Sequence, residues 1–273
     1  MSKNFLSDLN HKFYSQENGA KTSVYFQKSS KKPLAVLIHG FGGNAFGMSF
    51  LSQEMSKNWR IVLVELPSHG KSSLQKIEKS ADLRRWNAEI ITKIEREFGE
   101  ISLLVCHSFA CASVSSEISR KIPTVLINPV FKTPESFRFF GELSAKSKFF
   151  AIFSNLPIFS PFKVFFLIKT WRAKSWKNVF ANLFRSFSSA EQLTSQGKMT
   201  KIILENPLLA KSSKDVAMLV VGSRDAMSEK LTEKQKSDFF EKSEVFEMKT
   251  GHLLPIEFPE ILASKLEKFL PEK

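Results

Sequence analysis

Continuous apolar runs, each followed at once by glycine or a polar residue, constrain the fold of this chain more than any other feature. The runs lie in PLAVLIHGFGG, RIVLVELPSHG, ISLLVCHS, TVLINPV and VAMLVVGSRD, which begin at Pro33, Arg60, Ile101, Thr124 and Val216. Apolar runs without polar alternation are typical of strands buried on both faces, as in parallel sheets. Between the second and third runs, residues 80–98 place their apolar side chains on one helical face. We therefore predict an α/β fold, with a mostly parallel sheet and helices on both faces.

Two further segments extend the predicted sheet. Residues 12–27 have the pattern of two short strands around a turn at Asn18 and Gly19, which is typical of a β-hairpin. Residues 243–252 alternate more between polar and apolar side chains, which is typical of an edge strand. This segment is the last of the predicted strands.

The alternation of strands and helices stops after Val130, and the composition changes at the same place. From Phe131 to Lys214 the chain has 14 Lys or Arg against 4 Asp or Glu, a net +10 out of +13 for the whole chain. The same stretch holds 14 of the 27 phenylalanines. We predict a helical cap at residues 131–212, inserted into a core formed by residues 1–130 and 213–273.

One helix of this cap is predicted by its amphipathic pattern in residues 175–187. The apolar face would carry Trp176, Val179, Phe180, Leu183, Phe184 and Phe187. The polar face would carry Lys177, Asn178, Asn182 and Arg185.

The cysteine count and the distribution of apolar residues bear on the cellular compartment. Cys106 and Cys111 lie too close in sequence to form a disulfide framework, so we expect a reducing, cytoplasmic environment. The first residues lack the continuous apolar core of a secretory signal. The most apolar stretch, residues 149–168, is interrupted by two prolines and a lysine, so we do not expect it to span a membrane. Two cysteines without clustered histidines predict no metal site.

Reactive side chains follow three of the predicted strands. Ser108, Asp225 and His252 each come just after a separate strand. Ligands of open α/β sheets bind at the carboxyl ends of the strands, where these side chains would meet. Serine, histidine and a carboxylate are the residue types that nucleophilic acyl transfer needs. Asn128 follows another strand, but an amide cannot serve as the carboxylate.

Five short segments resemble the α/β-hydrolase fold enzymes. They are HGFGGN from His39, LPSHGKS from Leu66, CHSFA from Cys106, GSRD from Gly222 and GHLLPIEFPE from Gly251. The resemblance implies Ser108 as the nucleophile, Asp225 as the orienting acid and His252 as the base.

The same resemblance implies further features of the site. The backbone N–H groups of Phe41 and Phe109 would form the oxyanion hole, and His39 and Gly40 would support the first of these loops. The inserted cap would cover the site, and no metal or organic cofactor is implied. A serine as nucleophile also argues against epoxide hydrolases and haloalkane dehalogenases, which use aspartate at that position.

The turn around Ser108 departs from the usual pattern of such enzymes, which has glycine two residues before and two residues after the nucleophile. Cys106 and Ala110 occupy these positions and are among the smallest alternatives. The alternative for Ser108 is a serine that caps a helix, and the alternative for Asp225 is an aspartate that caps a turn.

These features predict a serine carboxylesterase that acts on a small-molecule ester, with an acyl chain as one candidate group. Alternatives with the same triad are a monoacylglycerol lipase, an acyl-carrier-protein methyl esterase, a C–C bond hydrolase, a cofactor-free haloperoxidase and a lyase. A hydrolase-like binding protein without catalysis is the alternative from another class.

The basic cap predicts either a lysine-rich surface over a phenylalanine core or an acidic partner, namely an acyl carrier protein or an anionic membrane surface. No motif for nucleic-acid binding is present.

Overall fold

The fold is built on one central sheet. A computed structural model describes residues 5–28, 30–130, 146–147, 175–185, 188–205, 215–225, 227, 232, 234, 240 and 242–272. Within these residues eight strands form the sheet: β1 (Asn10–Ser15), β2 (Lys21–Phe26), β3 (Leu34–Ile38), β4 (Arg60–Val64), β5 (Ile101–His107), β6 (Thr124–Ile127), β7 (Met218–Gly222) and β8 (Glu244–Met248). Their order is β1-β2-β4-β3-β5-β6-β7-β8.

The sheet is mostly parallel, as the apolar runs predict. β2 pairs with β1 and with β4 in antiparallel fashion. Every pair from β4 through β3, β5, β6 and β7 to β8 is parallel. The hairpin of β1 and β2 turns at Gly19, whose φ of +79° explains the glycine. The predicted fold class is therefore confirmed.

Helices cover both faces of the sheet. They are α1 (Ala45–Met55), α2 (Ser80–Phe98), α3 (Ser116–Lys121), α4 (Trp176–Arg185), α5 (Ala190–Glu205), α6 (Leu254–Glu257) and α7 (Pro259–Leu266). Alternate side chains of β3 point to opposite faces of the sheet. Val36 and Ile38 pack in the layer that contains α2. Ala35 and Leu37 pack in the layer that contains α1 and α7. Burial of these apolar side chains on both faces holds the central strands in place.

Helix α4 confirms part of the amphipathic pattern and corrects part of it. Val179 and Leu183 are buried against Ile256, as predicted. Phe180, predicted on the apolar face, is 39% exposed, and Asn182, predicted on the polar face, is only 6% exposed. The reason is that α4 packs between α1 and α6, where Gly47 leaves room for the amide. A Cβ at Gly47 would lie 2.9 Å from Asn182 Oδ1.

Helices α4 and α5 belong to the predicted cap at 131–212. Most of that segment, including residues 149–168 and the side chains of Phe184 and Phe187, lies outside the described residues. The domain boundaries therefore stay a prediction. In the part of the chain that the structure describes, no helix combines the length and the apolar character needed to cross a membrane.

Candidate active site

The carboxyl ends of β5, β7 and β8 bring Ser108, Asp225 and His252 together. Ser108 Oγ lies 2.8 Å from His252 Nε2, and His252 Nδ1 lies 2.7 Å from Asp225 Oδ2. All three side chains are buried, with 5 to 7% of their surface exposed. Asp225 also accepts a hydrogen bond from the backbone N–H of Met227 through Oδ1, at 2.7 Å. Serine hydroxyl, imidazole and carboxylate thus form one hydrogen-bonded path.

Ser108 occupies a sharp turn between β5 and the 3-10 helix Ser108–Ser113. Its φ is +55°, a left-handed conformation that is unfavourable for residues other than glycine. Cys106 and Ala110, which replace the usual glycines, are completely buried in the layer that contains α2. Burial raises the pKa of the Cys106 thiol, so this side chain remains protonated and serves as a small apolar group.

The close approach at this turn is made possible by Gly40, which follows β3. A Cβ on Gly40 would lie 2.8 Å from Ser108 Cβ and 3.0 Å from His107 Nδ1. Since no side chain fits there, the backbone of the Gly40 loop can lie directly against Ser108. This glycine was predicted as a supporting residue, and the contact gives a physical reason for it.

Two backbone N–H groups beside Ser108 are candidate oxyanion donors. Neither Phe41 N nor Phe109 N donates a hydrogen bond to any residue that the structure describes. Phe109 is buried, and its ring packs edge-on against that of Phe41 at 5.7 Å between centroids. These free N–H groups are available to a negatively charged oxygen.

His39 and His69 connect the Phe41 loop to the loop after β4. His39 Nδ1 donates to the carbonyl of Gly40 at 2.7 Å, while Nε2 accepts from Leu66 N at 3.1 Å. His69 Nδ1 donates to Pro67 O at 2.8 Å, while Nε2 accepts from Gly42 N at 3.0 Å.

Both histidines therefore require the neutral ring with the proton on Nδ1. Burial lowers the pKa of His69 to about 4 and also lowers that of His39. Protonation of either ring would turn an acceptor into a donor facing a backbone N–H group. They hold the Phe41 loop only while they are neutral.

Glu65, directly after β4, is a buried carboxylate that none of the sequence motifs indicated. It is 2% exposed, and its two oxygens accept from Ala45 N at 3.1 Å and from Lys71 N at 2.7 Å. Burial raises the pKa of Glu65. The only signal in the sequence was a glutamate at the end of an apolar run. This carboxylate fastens the first turn of α1 to the loop after β4.

Asn128 and His107 were also missed as functional residues. Asn128, after β6, has a φ of +45°, and its side chain contacts backbone groups of the Asp225 and His252 segments. His107 Nε2 donates to the carbonyl oxygen of His252 at 2.9 Å. Burial lowers the pKa of His107 to about 3, so its ring stays neutral. In the sequence, His107 was notable only because it directly precedes Ser108, the predicted nucleophile.

Helices α4 and α5, which lie within the predicted cap, contact the loops of the site. From α5, Gln192 donates to the carbonyl of Gly70 and Gln196 to that of Ser68, at 2.9 and 2.8 Å. Ser68, like Ser108 and Asn128, has a positive φ, of +59°. Helix α4 packs its apolar side chains against Leu253, the residue after His252. Both helices thus contact segments that adjoin the site.

Across the described ranges, no three His, Cys, Asp or Glu side chains are grouped so that they could hold a metal ion.

Solved structures with the same fold come from several bacterial proteins. A hydrolase from Pseudomonas aeruginosa PA01 is 16% identical, with a TM-score of 0.73 over 95% of this chain and 98% of the other. The Cif epoxide hydrolase from Acinetobacter nosocomialis is 19% identical, with a TM-score of 0.74 over 97% and 90%. A thermophilic esterase from Thermogutta terrifontis is 14% identical, with a TM-score of 0.72 over 95% and 97%. At such identities the likeness shows the fold alone.

Sequence comparison assigns the family. No curated protein sequence matches this chain. The sequence profile of the Alpha/beta hydrolase family matches residues 35–265, which include every strand from β4 to β8. The chain belongs to the alpha/beta hydrolase family.

Proposed function

We propose that this protein is a serine hydrolase that cleaves carboxylic esters, with Ser108, His252 and Asp225 as its catalytic residues. The observation that carries the proposal is the continuous path from Ser108 Oγ to His252 Nε2 at 2.8 Å and from His252 Nδ1 to Asp225 Oδ2 at 2.7 Å. A hydroxyl becomes a useful nucleophile when a base within hydrogen-bond distance removes its proton. The carboxylate keeps the imidazole in the required tautomer and stabilises the imidazolium.

In the acylation step, Ser108 Oγ attacks the carbonyl carbon of the ester as its proton passes to His252 Nε2. The carbonyl oxygen becomes negatively charged and accepts hydrogen bonds from the N–H groups of Phe41 and Phe109. Collapse of this intermediate breaks the bond to the alcohol oxygen, which takes the proton from Nε2. The products of the step are the free alcohol and an acyl group bound to Ser108.

In the deacylation step, a water molecule attacks the acyl-enzyme and gives a proton to His252 Nε2. The bond to Ser108 Oγ then breaks, and Oγ recovers the proton from Nε2. The carboxylic acid leaves, and the starting state is restored. Neither step requires an oxidant or reductant.

The chemistry of residue 108 favours an ester over other substrates of this fold. The similar structures include both an esterase and an epoxide hydrolase, so the fold does not separate the two reactions. A serine forms an acyl ester that water can cleave with help from the same histidine. Hydrolysis of an ester therefore uses the serine hydroxyl, the imidazole and the carboxylate together.

The composition of residues 131–214 supports further features of the substrate. Phenylalanines are abundant there, so we propose that the ester carries an acyl chain, since each buried methylene contributes about 0.8 kcal/mol. The excess of 14 basic over 4 acidic residues supports an acidic partner, either an acyl carrier protein or an anionic membrane surface. The free, buried thiols of Cys106 and Cys111 support a cytoplasmic location.

The proposal is tested by labelling the protein with a fluorophosphonate, which reacts with activated serines. We expect the wild type to be labelled and Ser108→Ala to remain unlabelled. Ser113→Ala is the matched control, because it removes a buried hydroxyl from the same 3-10 helix, where Oγ donates to Ala110 O. This control should be labelled like the wild type.

A series of p-nitrophenyl esters with increasing acyl length then measures turnover. Turnover that requires Ser108 and rises with chain length supports the proposed esterase and its preference for an acyl chain. A folded wild type that is neither labelled nor active on any ester would show that the serine is not activated.

A further inference from the structure

We propose that Asn128 is a positioning residue that holds the segments of Asp225 and His252 in register, an inference that rests on the proposed hydrolase function. Asn128 follows β6, which lies in the sheet between β5 and β7. It therefore lies between the strand that leads to Ser108 and the strand that leads to Asp225. Its side chain does not touch substrate atoms in the proposed reaction, so it would act through the backbone of its neighbours.

The Asn128 amide makes three hydrogen bonds to backbone groups. Oδ1 accepts from Gly222 N at 2.6 Å, at the end of the strand that leads to Asp225. Nδ2 donates to Gly251 O at 3.0 Å and to His252 O at 2.9 Å. One side chain thus connects the end of β7 to the backbone of the proposed base.

The backbone of Asn128 adds a fourth connection. Asn128 N donates to Val220 O at 2.8 Å, so β7 is bonded to this residue through main chain and side chain alike. The φ of +45° aims the side chain across the carboxyl ends of the strands. Asparagine tolerates this conformation better than most residues. The geometry therefore favours asparagine at this position for its backbone as well as for its amide.

The chemistry of the contacts also selects the amide. Two carbonyl oxygens need two donors and one N–H group needs an acceptor, which the NH₂ and oxygen of asparagine supply together. An aspartate of the same size would keep the acceptor for Gly222 N but would place an oxygen against the carbonyls of Gly251 and His252. Asn128→Asp therefore removes the two donors with little change of volume.

The position of His252 matters because both of its ring nitrogens make short hydrogen bonds, one with Ser108 and one with Asp225. A shift of its backbone would lengthen the contact to Ser108 Oγ, the contact to Asp225 Oδ2, or both. Misplacement of a catalytic group by about 1 Å reduces rates by about 100-fold. His107 holds the same carbonyl oxygen at 2.9 Å, so we expect loss of Asn128 to loosen this backbone without releasing it.

The experiment compares Asn128→Asp and Asn128→Ala with the wild type and with Ile94→Ala. Ile94 is buried near the end of α2, which stops at Phe98 just before β5 begins, so it lies near the end of the sheet opposite to Ser108 and His252. Its truncation should lower stability without touching the site. Three quantities are measured well below the melting temperature: the rate of fluorophosphonate labelling, kcat and KM for p-nitrophenyl acetate, and the far-downfield proton NMR resonance of the His252 Nδ1 proton shared with Asp225.

We expect both Asn128 variants to be labelled and to turn over at least about tenfold more slowly, with KM changed by less than about twofold. The downfield resonance should weaken or disappear in them. Ile94→Ala should melt earlier but react like the wild type. Asn128→Asp with wild-type rates and an intact resonance would overturn the inference, as would an equal loss of rate in Ile94→Ala.

The resonance separates this inference from the proposed function. If the wild type is neither labelled nor active, the hydrolase proposal fails, but the hydrogen bond between His252 and Asp225 can still be observed without substrate. Its loss in Asn128→Asp would then support the positioning role, and its persistence would refute it.

Discussion

Gly40 and Ser108 lie so close together that a Cβ on the glycine would be only 2.8 Å from Ser108 Cβ. Both positions belong to backbone that has little freedom to move, since Ser108 lies in a left-handed turn and Gly40 follows a central strand. This contact sets the distance between Ser108 and the loop that carries Phe41.

Gly40→Ala should therefore displace the Phe41 loop while the sheet remains folded. We expect kcat/KM for a p-nitrophenyl ester to fall by about 100-fold, the size of the effect of losing one oxyanion donor. Gly19→Ala is the control, because it strains a hairpin turn that has open space around it and joins β1 to β2, which β4 and β3 separate from β5. Wild-type kcat/KM in Gly40→Ala would contradict this account of the loop.

Asp225→Asn should leave binding nearly unchanged and reduce kcat by about 10³- to 10⁴-fold, because an amide can favour the wrong imidazole tautomer. Steady-state kinetics that separate kcat from KM provide the measurement. Asp215→Asn is the matched control, since Asp215 pairs with the exposed side chain of Arg120 at 2.9 Å. Such surface pairs contribute little to stability. Equal activity in the two variants would remove Asp225 from the proposed mechanism.

His69 should make the stability of the protein depend on pH. Burial lowers its pKa from 6.5 to about 4, so between these values the unfolded chain binds a proton that the folded chain does not. Stability then rises with pH, and it is lost as the pH falls from about 6.5 towards 4. From pH 7 to pH 5 this histidine alone would reduce the free energy of unfolding by about 2 kcal/mol.

His69→Gln tests this dependence by urea unfolding at the two pH values. The variant should be less stable at pH 7, because the ring bonds to Pro67 and Gly42 are changed, but it should lose less stability at pH 5. Part of the slope should remain, since His107 also has a lowered pKa. An identical slope in wild type and variant would assign the pH dependence to other groups.

Val179→Ala should loosen the contact between α4 and the His252 segment. Val179 is completely buried and packs in a cluster with Leu183, Ile256, Phe50 and Leu253. We expect a loss of about 1 to 2 kcal/mol in stability, from the removed methyl groups and the cavity that remains. Since Leu253 follows the proposed base, kcat/KM should fall as well. Lys177→Ala, on the exposed side of the same helix, should change neither quantity.

The sheet and the central helices could be predicted because their signals are local. The apolar run of each strand and the helical spacing of residues 80–98 can be seen within a single segment of the sequence. Ser108, Asp225 and His252 could be proposed together because parallel strands place their carboxyl ends at one edge.

The support of these three residues could not be predicted. Asn128 and His107 bond to the carbonyl of His252 across 124 and 145 residues of sequence, and such contacts leave no periodic pattern. The prediction of an exposed Asn182 on α4 was wrong for a related reason. Asn182 is buried because Gly47, on a distant helix, leaves space for it.

Among the residues that the structure describes, Ser68, Ser108 and Asn128 adopt positive φ without being glycine, and all three follow strands of the sheet. Such a conformation costs about 1 to 2 kcal/mol relative to glycine. Within the described part of the chain, the Ser108 side chain makes one hydrogen bond, which contributes about 1 kcal/mol. If Ser108 is the nucleophile, as we propose, directed evolution for heat resistance alone would replace it with glycine, whereas selection for turnover would keep the serine.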